Sequence, residues 1–448
     1  MKRPEDFLNY RLIDFIQFLK GKNIRRFFFS HDEKDKRIIS SHKILQPIAD
    51  FLSSDTRDFN NHEGLFFQIT RKYDILQGIF IHRTNRGQAL GGVRYWLYNT
   101  FEDFLRDGMR LSVGMTMKNA LAGLWWGGGK GVMAHNQMID KNNPIIRASI
   151  YQEFGEFISS LRGCYVAAED VGTDVTDMTK IFMRTRFTTC IPPHLGGSGN
   201  SAVPTARGVI EGMEAALEFL NMGNLKGKTV AVQGIGNVAT PLIQFLFEKE
   251  VKKVVACDIY PHVIKEIRDS IDNRNLETYI VDQNDLSIFS KECDILAPCA
   301  TGGILNPITI PLIKAPIICG SANNQLEDSS RDDKDLFEKG IVYVPDFLTN
   351  RLGSVYSANE QYGFVKNDPL LEVHLRRTNE NSIYNTTLKI LNESKSTKTP
   401  PGQGALKLAE KLSYENHPIF GHRGKLIIDS IIASKWHELP LVDWKLPV

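Results

Sequence analysis

The sequence predicts a two-domain α/β protein, and three observations support this fold class. The chain has 448 residues, which is more than a single hydrophobic core usually supports. After residue 200, short apolar segments of strand character recur with helical segments between several of them, as in a parallel sheet covered on both faces. The first 200 residues instead mix longer helical patterns with scattered strand patterns. We therefore expect two unlike α/β domains around a cleft.

Composition and charge narrow the class of protein. The chain is 42% apolar and 24% charged with a net charge of +2, so nothing favours nucleic acid or an anionic membrane as a partner. No apolar run approaches the roughly 20 residues of a membrane helix, and the N-terminus lacks the apolar segment of a secretory signal. The six cysteines form no C-x-x-C pair. We expect reduced thiols, a cytoplasmic location and no metal site.

Residues 1–200 are assigned to the first domain. Residues 1–60, including RRFFFSHDEKDKR, carry helical periodicity and many charges. The patterns that follow predict strands at GLFFQIT, GIFIHRT, GGVRYWLY and CYVAAED, and helices at FEDFLRDGMRLSVGMTMKNALAGL, 144–162 and DVTDMTKIFMRT.

The pattern changes near residue 200, where SGNSAVPTARG is typical of a linker. Residues 201–364 are assigned to a second domain because six apolar strand segments follow one another there: KTVAVQG, KVVACDI, ETYIVD, CDILAPCA, APIICG and GIVYVPDF. The tail, 365–448, has helical patterns interrupted by STKTPPGQG. We expect this tail to pack back on the first domain.

The first strand of the second domain leads into the glycine-rich turn GIGNVA, which spans Gly234, Gly236, Asn237 and Val238. In a G-x-G-x-x-A fingerprint the first glycine permits a tight turn, and the second lets the backbone approach a pyrophosphate at a helix N-terminus. Asp258 ends the next strand, where a carboxylate binds the ribose hydroxyls of NAD and repels the 2′-phosphate of NADP. The second domain is therefore predicted to be a Rossmann domain that binds NAD.

A lysine in the segment GLWWGGGKGVM is the first candidate for proton chemistry. Lys130 follows three glycines and has apolar neighbours, and Lys118 and Asp170 lie in GMTMKNA and AAEDVGTD. We expect the glycines to make room for a small substrate. A desolvated lysine beside a second cation has a lowered pKa and can act as a base near neutral pH. Taken singly, each residue also fits a plain structural role in a loop, on a helix surface or at a strand end.

Eight segments taken together resemble the glutamate/leucine/phenylalanine/valine dehydrogenase family. The resemblance covers roughly residues 64–364 and is specific because many motifs occur in the same order. These motifs are LGGVRYW, GMTMKNALAGLWWGGGKGVM, AAEDVGTDVTDM, GGSGNSAVPTARGV, VQGIGNVA, DILAPCATGGILN, GSANNQL and VPDFLTN.

The resemblance implies NAD-dependent oxidative deamination of an L-amino acid to its 2-oxo acid and ammonia, and the reverse reaction. It implies that Lys118 binds the substrate carboxylate, that Lys130 is the catalytic base and that Asp170 assists proton transfer. It also implies a substrate-binding, oligomerising first domain and a homo-oligomer. The remaining implied contacts are with the substrate at Gly91, Gly92 and Asn350, and with the cofactor at Thr205, Ala300 and Asn323.

The substrate side chain is expected to be apolar. Leu90 stands where relatives that use glutamate have a lysine, so a distal carboxylate would lack a cationic partner. Ser357 is a conflicting sign, because glutamate enzymes have a serine there. We therefore expect leucine, valine or isoleucine, with glutamate or an aromatic amino acid as the alternative.

Two departures from the family pattern bear on this expectation. Arg351 and Leu352 are large replacements that are expected beside the nicotinamide, and Arg351 would favour an acidic substrate if it pointed into the pocket. Trp125 and Trp126 are also bulky for their positions and would narrow the site. The departures leave open a non-catalytic NAD-binding relative, and a dehydrogenase of a hydroxy acid is a further alternative.

Overall fold

The computed structural model describes residues 4–32 and 37–441 and contains two β-sheets, one in each of two α/β domains. The strands of the first sheet are β1 (Arg26–Asp32), β2 (Arg37–Ser40), β3 (Gly64–Ile69), β4 (Leu76–Arg83), β5 (Ala89–Trp96), β6 (Gly127–Ala134) and β7 (Tyr165–Glu169). Their order is β2-β1-β3-β4-β6-β5-β7. The pairs from β2 to β6 are antiparallel, whereas β6, β5 and β7 run parallel. Apolar side chains are buried on both faces of this sheet.

The second sheet is parallel throughout and has the strand order of a Rossmann domain. Its strands are β8 (Thr229–Gln233), β9 (Lys253–Asp258), β10 (Leu276–Ile280), β11 (Ile295–Pro298), β12 (Ile317–Ile318) and β13 (Val342–Tyr343). In the order β10-β9-β8-β11-β12-β13, the chain adds β9 and β10 on one side of β8 and then adds β11, β12 and β13 on the other side. The switch point therefore lies between β8 and β11. Ligands bind at such a switch point, outside the carboxyl ends of the strands.

Helices cover both sheets and connect the two domains. They are α1 (Leu12–Gly21), α2 (Gln46–Ser54), α3 (Phe101–Leu121), α4 (Pro144–Ser160), α5 (Val175–Phe182), α6 (Ala202–Phe219), α7 (Ala239–Glu248), α8 (Pro261–Ser270), α9 (Arg331–Glu338), α10 (Asp346–Thr349), α11 (Arg351–Glu360), α12 (Pro369–Val373), α13 (Ile383–Thr397), α14 (Pro401–Ser413) and α15 (Arg423–Ala433). Helix α13 packs on α6, and α14 packs on α3. Helix α15 and Trp436 pack on the first sheet.

Two sequence expectations are wrong. The segment RRFFFSHD is strand β1 and not part of a helix, because Phe27 and Phe29 are buried on one face of the sheet while Phe28 is buried on the other. The expected linker at SGNSAVPTARG is largely the start of α6, in which Pro204 lies in the first turn and needs no backbone donor. The six strands expected after residue 200 are confirmed as β8–β13.

The described part of the chain holds no helix whose length and apolar character would let it cross a bilayer. The cysteines are free thiols, and Cys164, Cys190, Cys257 and Cys319 are buried. Within residues 4–32 and 37–441 no cluster of acidic, histidine or cysteine side chains has the composition of a metal site.

Candidate active site

A cavity of about 480 Å³ lies between the two domains. Its wall in the first domain comes from β5, β6, β7 and α3, and its opposite wall comes from α6, α11 and the loop after β12. Many of the expected site residues line it: Leu90, Gly91, Gly92, Lys118, Lys130, Asp170, Thr205, Val238, Asn323, Asn350 and Ser357. The other expected cofactor residues lie at the carboxyl ends of β8, β9 and β11 and not in this cavity.

Lys130 and Asp170 form a buried ion pair at the bottom of the cavity. The Lys130 ammonium lies 2.8 Å from Oδ2 of Asp170, and only 3% of Lys130 is exposed. Arg94 approaches the same carboxylate oxygen with its Nε at 3.3 Å. On its other side the Arg94 guanidinium contacts Asp107 at 3.2 Å, and the hydroxyl of Tyr98 donates to Asp107 at 2.6 Å. Charges of alternating sign therefore run from Asp107 to Lys130.

The pKa values of both groups lie below their usual values, but for different reasons. Burial lowers the pKa of Lys130, and the positive charge of Arg94 lowers it further against the opposing attraction of Asp170. Burial alone would raise the pKa of Asp170, but Lys130 and Arg94 outweigh it and hold that pKa at about 2. A lysine with a lowered pKa, beside a carboxylate that stays ionised, is suited to proton transfer.

The glycines before Lys130 allow close packing against α3 and neighbouring strands and do not make room for a substrate, which corrects the expectation from the sequence. A Cβ atom on Gly128 would lie 2.1 Å from the backbone nitrogen of Thr116 in α3, and one on Gly127 would lie 2.3 Å from the carbonyl of Arg83. Strand β6 therefore lies directly against α3 because it lacks side chains there. The Asn119 side chain of α3 also donates to the Gly127 carbonyl at 2.7 Å. This close approach brings Lys118 and Lys130 to one cavity.

Lys118 reaches across the cleft to the second domain. Its ammonium donates to Oδ1 of Asn323 at 3.1 Å, and the side-chain amide of Asn350 donates to the same oxygen at 2.8 Å. Burial, together with the charge of Lys130, lowers the pKa of Lys118 to about 8. Oδ1 of Asn350 is buried and has no hydrogen-bond donor among the described residues. The cluster thus offers an ammonium and a free acceptor to a ligand.

Four uncharged side chains line the cavity, and Glu169 lines it next to one of them. Leu90 and Ala168 come from β5 and β7, Ser357 comes from α11, and Cys190 comes from the loop after α5. Trp126 packs behind Leu90 and does not line the cavity. Trp125 also lies outside it, under the guanidinium of Arg86 at 4.1 Å. The two tryptophans therefore do not narrow the cavity by direct contact, contrary to the expectation from the sequence.

Arg351 and Leu352 lie away from the cavity, contrary to their expected place beside the nicotinamide. Arg351 is fully buried between α3 and α13, where it donates to the carbonyl of Leu121 at 2.7 Å and to the carbonyl of Asn381. Burial lowers its pKa to about 9. Leu352 packs in an apolar cluster with residues of α11, α12 and α13. Arg351 is thus a link between helices and brings no charge to the pocket.

The turn after β8 has the geometry that a dinucleotide pyrophosphate requires. Gly234 has a φ of +88°, and a Cβ there would lie 2.5 Å from Cβ of Ala300, which follows β11. A Cβ on Gly236 would meet nothing within 4 Å, so the backbone is open at that position. The exposed Gly236 and Asn237 lead into α7, whose N-terminal backbone N–H groups favour an anion. These residues fit a dinucleotide cofactor.

Asp258 borders this turn at the end of β9. Its Oδ2 accepts from the backbone N–H of Ile235 at 2.7 Å, and its Oδ1 accepts from that of Tyr260 at 2.9 Å. The carboxylate therefore holds the glycine turn in place and also faces the region next to it. Ile259 and Tyr260, which follow it, are exposed and bring no positive charge.

Several residues of the site were missed by sequence reasoning. Arg94 lies in the motif LGGVRYW, two residues after Gly92. Because β5 pairs with β7, which leads into Asp170, the pairing of these two strands could have predicted that Arg94 lies near Asp170. Asp346 is buried and accepts hydrogen bonds from the Tyr343 hydroxyl and the Asn324 backbone, both at 2.9 Å. Cys190 had no local signal, because a loop brings it to the cavity.

Proton-transfer groups on one wall of a cleft and a dinucleotide turn on the other are the division of roles found in a two-domain dehydrogenase. Comparisons with known proteins agree with that class. A model of the Glutamate/Leucine/Phenylalanine/Valine dehydrogenase matches residues 196–412, and a model of the Glu/Leu/Phe/Val dehydrogenase dimerisation domain matches residues 66–187. The chain belongs to the Glu/Leu/Phe/Val dehydrogenase family, as its motifs indicated.

Individual relatives support the same placement. The leucine dehydrogenase of Geobacillus stearothermophilus is 41% identical over 352 residues, which are 78% of this chain and 90% of that protein. The valine dehydrogenase of Streptomyces coelicolor is 36% identical, over 81% of this chain and 94% of that protein. The solved structure of L-tryptophan dehydrogenase from Nostoc punctiforme matches with a TM-score of 0.62 at 32% identity, covering 79% and 96% of the two chains. The chain is therefore an amino acid dehydrogenase that uses a nicotinamide cofactor.

Proposed function

We propose that this protein catalyses NAD-dependent oxidative deamination of an apolar L-amino acid, with leucine, valine or isoleucine ahead of phenylalanine or tryptophan, and the reverse reaction. The observation that carries the substrate class is a set of uncharged side chains in the cavity lining, Leu90, Ala168, Cys190 and Ser357. None of these four side chains could pair with a distal carboxylate, and Arg351 points elsewhere. Relatives named leucine and valine dehydrogenase support the same class.

In this proposal the residues of the cleft hold the substrate and move its protons. Lys118 pairs with the α-carboxylate, and the free Oδ1 of Asn350 accepts from the amino group. Gly91 and Gly92 line the cavity, and a Cβ on either would collide with the Gly129 carbonyl or with Asp170 beside the reacting groups. When bound, the nicotinamide accepts the hydride from the α-carbon. Lys130 then takes a proton from the water that attacks the resulting iminium carbon, and this proton passes through Asp170 to the nitrogen of the carbinolamine. Ammonia leaves as Lys130 takes the remaining hydroxyl proton and the carbonyl forms.

We infer that NAD is preferred to NADP. Gly234, Gly236, Asn237 and Val238 would hold the pyrophosphate at the N-terminus of α7, with Ala300 closing the turn. Thr205 and Asn323 line the cavity where the nicotinamide end must reach the substrate. The Asp258 carboxylate would bind ribose hydroxyls and repel a 2′-phosphate. We expect kcat/KM to be at least tenfold higher with NAD, and comparable values for the two cofactors would contradict this assignment.

A panel of L-amino acids tests the substrate class. The purified protein is incubated with NAD and each amino acid, and NADH absorbance and released ammonia are both measured. We expect ammonia and NADH in equal amounts, with the highest kcat/KM for a branched aliphatic amino acid. Glutamate at the top of the panel would overturn the argument from Leu90. NADH formation without ammonia would indicate a hydroxy acid dehydrogenase, and no turnover at all would indicate a non-catalytic relative.

We also propose that the chain forms a homo-oligomer. The family model that matches residues 66–187 is described as a dimerisation domain, and this region contains β3–β7 and α3. Light scattering on the purified protein gives its mass directly. A mass of 50.6 kDa, that of one chain, would contradict the proposal.

A further inference from the structure

The wall of the cavity can be followed from the reacting groups to its far end. Lys130 lies on β6, Leu90 lies on the neighbouring β5, and Ala168 lies on β7 beyond it. The segment that contains Thr189 and Cys190 lies beyond β7, because the Thr189 backbone N–H donates to the carbonyl of Ala167 in β7 at 2.8 Å. Cys190 therefore follows Ala168 in the direction away from Lys130, at the end where a substrate side chain would lie.

Cys190 has a backbone conformation that its side chain disfavours. Its φ is +62°, in the left-handed region. Glycine occupies this region freely, whereas a residue with a Cβ is strained there. Strained backbone of this kind is concentrated at functional sites, where the surrounding structure enforces it. Of the described non-glycine residues in this region, only Cys190 and Asn324 line the cavity.

Glu360 fixes this strained loop. Its buried carboxylate accepts from the backbone N–H groups of Cys190 at 2.8 Å, Ile191 at 3.3 Å and Ser198 at 2.9 Å. The Cys190 thiol lies 3.2 Å from the hydroxyl of Ser357 on α11. Both the backbone and the side chain of Cys190 are thus held in place. Burial raises the pKa of the thiol to about 11, so it presents a neutral surface.

We propose that Cys190 closes the distal end of the side-chain pocket and sets the upper size limit of the amino acid that the enzyme accepts. Branched aliphatic side chains fill the space up to the thiol, and an aromatic ring meets it. This inference rests on the proposed function and names the residue that determines its substrate size. A misfit of this kind at an apolar pocket is worth roughly 10–200-fold in kcat/KM.

The test compares three variants with the wild type, using leucine and phenylalanine with NAD. Cys190→Gly removes the side chain and relieves the strained backbone, so the protein should fold. Cys190→Ser keeps nearly the same volume and changes only the chemistry of the group. Asn221→Gly is the matched control, because Asn221 is an exposed residue with a φ of +56° that does not line the cavity.

We expect Cys190→Gly to raise the ratio of kcat/KM for phenylalanine over leucine at least tenfold. Cys190→Ser should stay within about threefold of the wild-type ratio, and Asn221→Gly should not change it. An unchanged ratio in Cys190→Gly, with a wild type that prefers leucine, would overturn the role of Cys190 alone. A wild type that already prefers phenylalanine, or that oxidises neither amino acid, would overturn the proposed function and this inference with it.

Discussion

At the residue scale, Arg94 changes the electrostatics of the ion pair between Lys130 and Asp170. Both cations approach the same oxygen, Oδ2 of Asp170, at 2.8 Å and 3.3 Å. Asp170 is therefore shared, and Lys130 is less strongly held in its charged form than in an isolated ion pair. Sharing a carboxylate in this way favours a lysine that can lose its proton during turnover.

Replacing Lys130 tests its role as the base. We expect Lys130→Ala to lower kcat by about 10²–10⁴-fold, the usual contribution of a general acid–base group. The Asp170 carboxylate would keep Arg94 as a partner, so the fold and NAD binding should persist. The measurements are kcat, the affinity for NAD and the thermal midpoint. Near-normal turnover in a folded variant would remove Lys130 from the mechanism.

Arg94→Met tests the shared carboxylate through a pH profile. Losing the positive charge leaves Asp170 to Lys130 alone, so the pKa of Lys130 should rise from its lowered value. The neutral base then forms only at higher pH, and the acidic limb of log kcat/KM should move up by about 1 pH unit. The substrate amino group titrates identically in both proteins. Arg94→Lys keeps the charge and is the control, and an unmoved limb in Arg94→Met would contradict the coupling.

The site residues could be predicted from sequence where a motif carried them. Lys118, Lys130 and Asp170 line one cavity as expected, although their roles await the experiments above. The direction of Arg351 could not be predicted, because it depends on two carbonyl groups that are distant in sequence, Leu121 in α3 and Asn381 in the turn before α13. A motif alignment gives the position of a residue along the chain but not the neighbours that turn its side chain.

At the element scale, the contact between β6 and α3 depends on the absence of side chains. Gly128→Ala would place a Cβ 2.1 Å from the Thr116 backbone, and backbone atoms cannot move aside as a side chain can. We expect a loss of about 3 kcal/mol or more in the free energy of unfolding, the upper end for overpacking, together with loss of activity. Gly404→Ala in α14, where a Cβ would meet nothing within 4 Å, should stabilise by about 0.5–1 kcal/mol. Chemical denaturation measures both, and equal stabilities would contradict the packing argument.

Elements were predictable where burial followed a simple period. Strands β8–β13 read as apolar runs because a parallel sheet is covered on both faces. The sequence did not predict strand β1, because its three consecutive phenylalanines are buried on alternating faces of the sheet. The strand therefore lacks the alternation of apolar and polar residues that usually indicates a strand. Helix α6 was read as a linker because its small and polar first turn resembles a loop until the buried residues that follow are counted.

At the scale of the whole molecule, the C-terminal segment packs against the first sheet. The family match ends at residue 412, yet Trp436 is only 1% exposed and packs between Phe66 and Phe157 with ring centroids at 5.5 Å and 5.7 Å. Its indole N–H donates to Ser160 at 2.9 Å. The described residues beyond the match are therefore part of the folded core and not an appendage.

Trp436→Ala measures the contribution of this segment. We expect a loss of about 3–5 kcal/mol in the free energy of unfolding, as for other buried tryptophans. Leu426→Ala on α15 is the control, because Leu426 is exposed and its truncation should change stability by no more than about 0.5 kcal/mol. Trp436 does not line the cavity, so kcat below the unfolding transition should be unchanged. A small stability loss in Trp436→Ala would show that the segment is dispensable.

The hydrogen bond from Lys118 to Asn323 joins the two domains through one side chain from each. The binding of amino acid and the binding of cofactor can both change this hydrogen bond. The amino acid does so when its carboxylate approaches Lys118, and the cofactor does so when it moves Asn323. The coupling free energy between the two ligands is one quantity, so each must change the affinity of the other by the same factor. Titration of either ligand, with and without its partner, would then return the same ratio of dissociation constants from both directions.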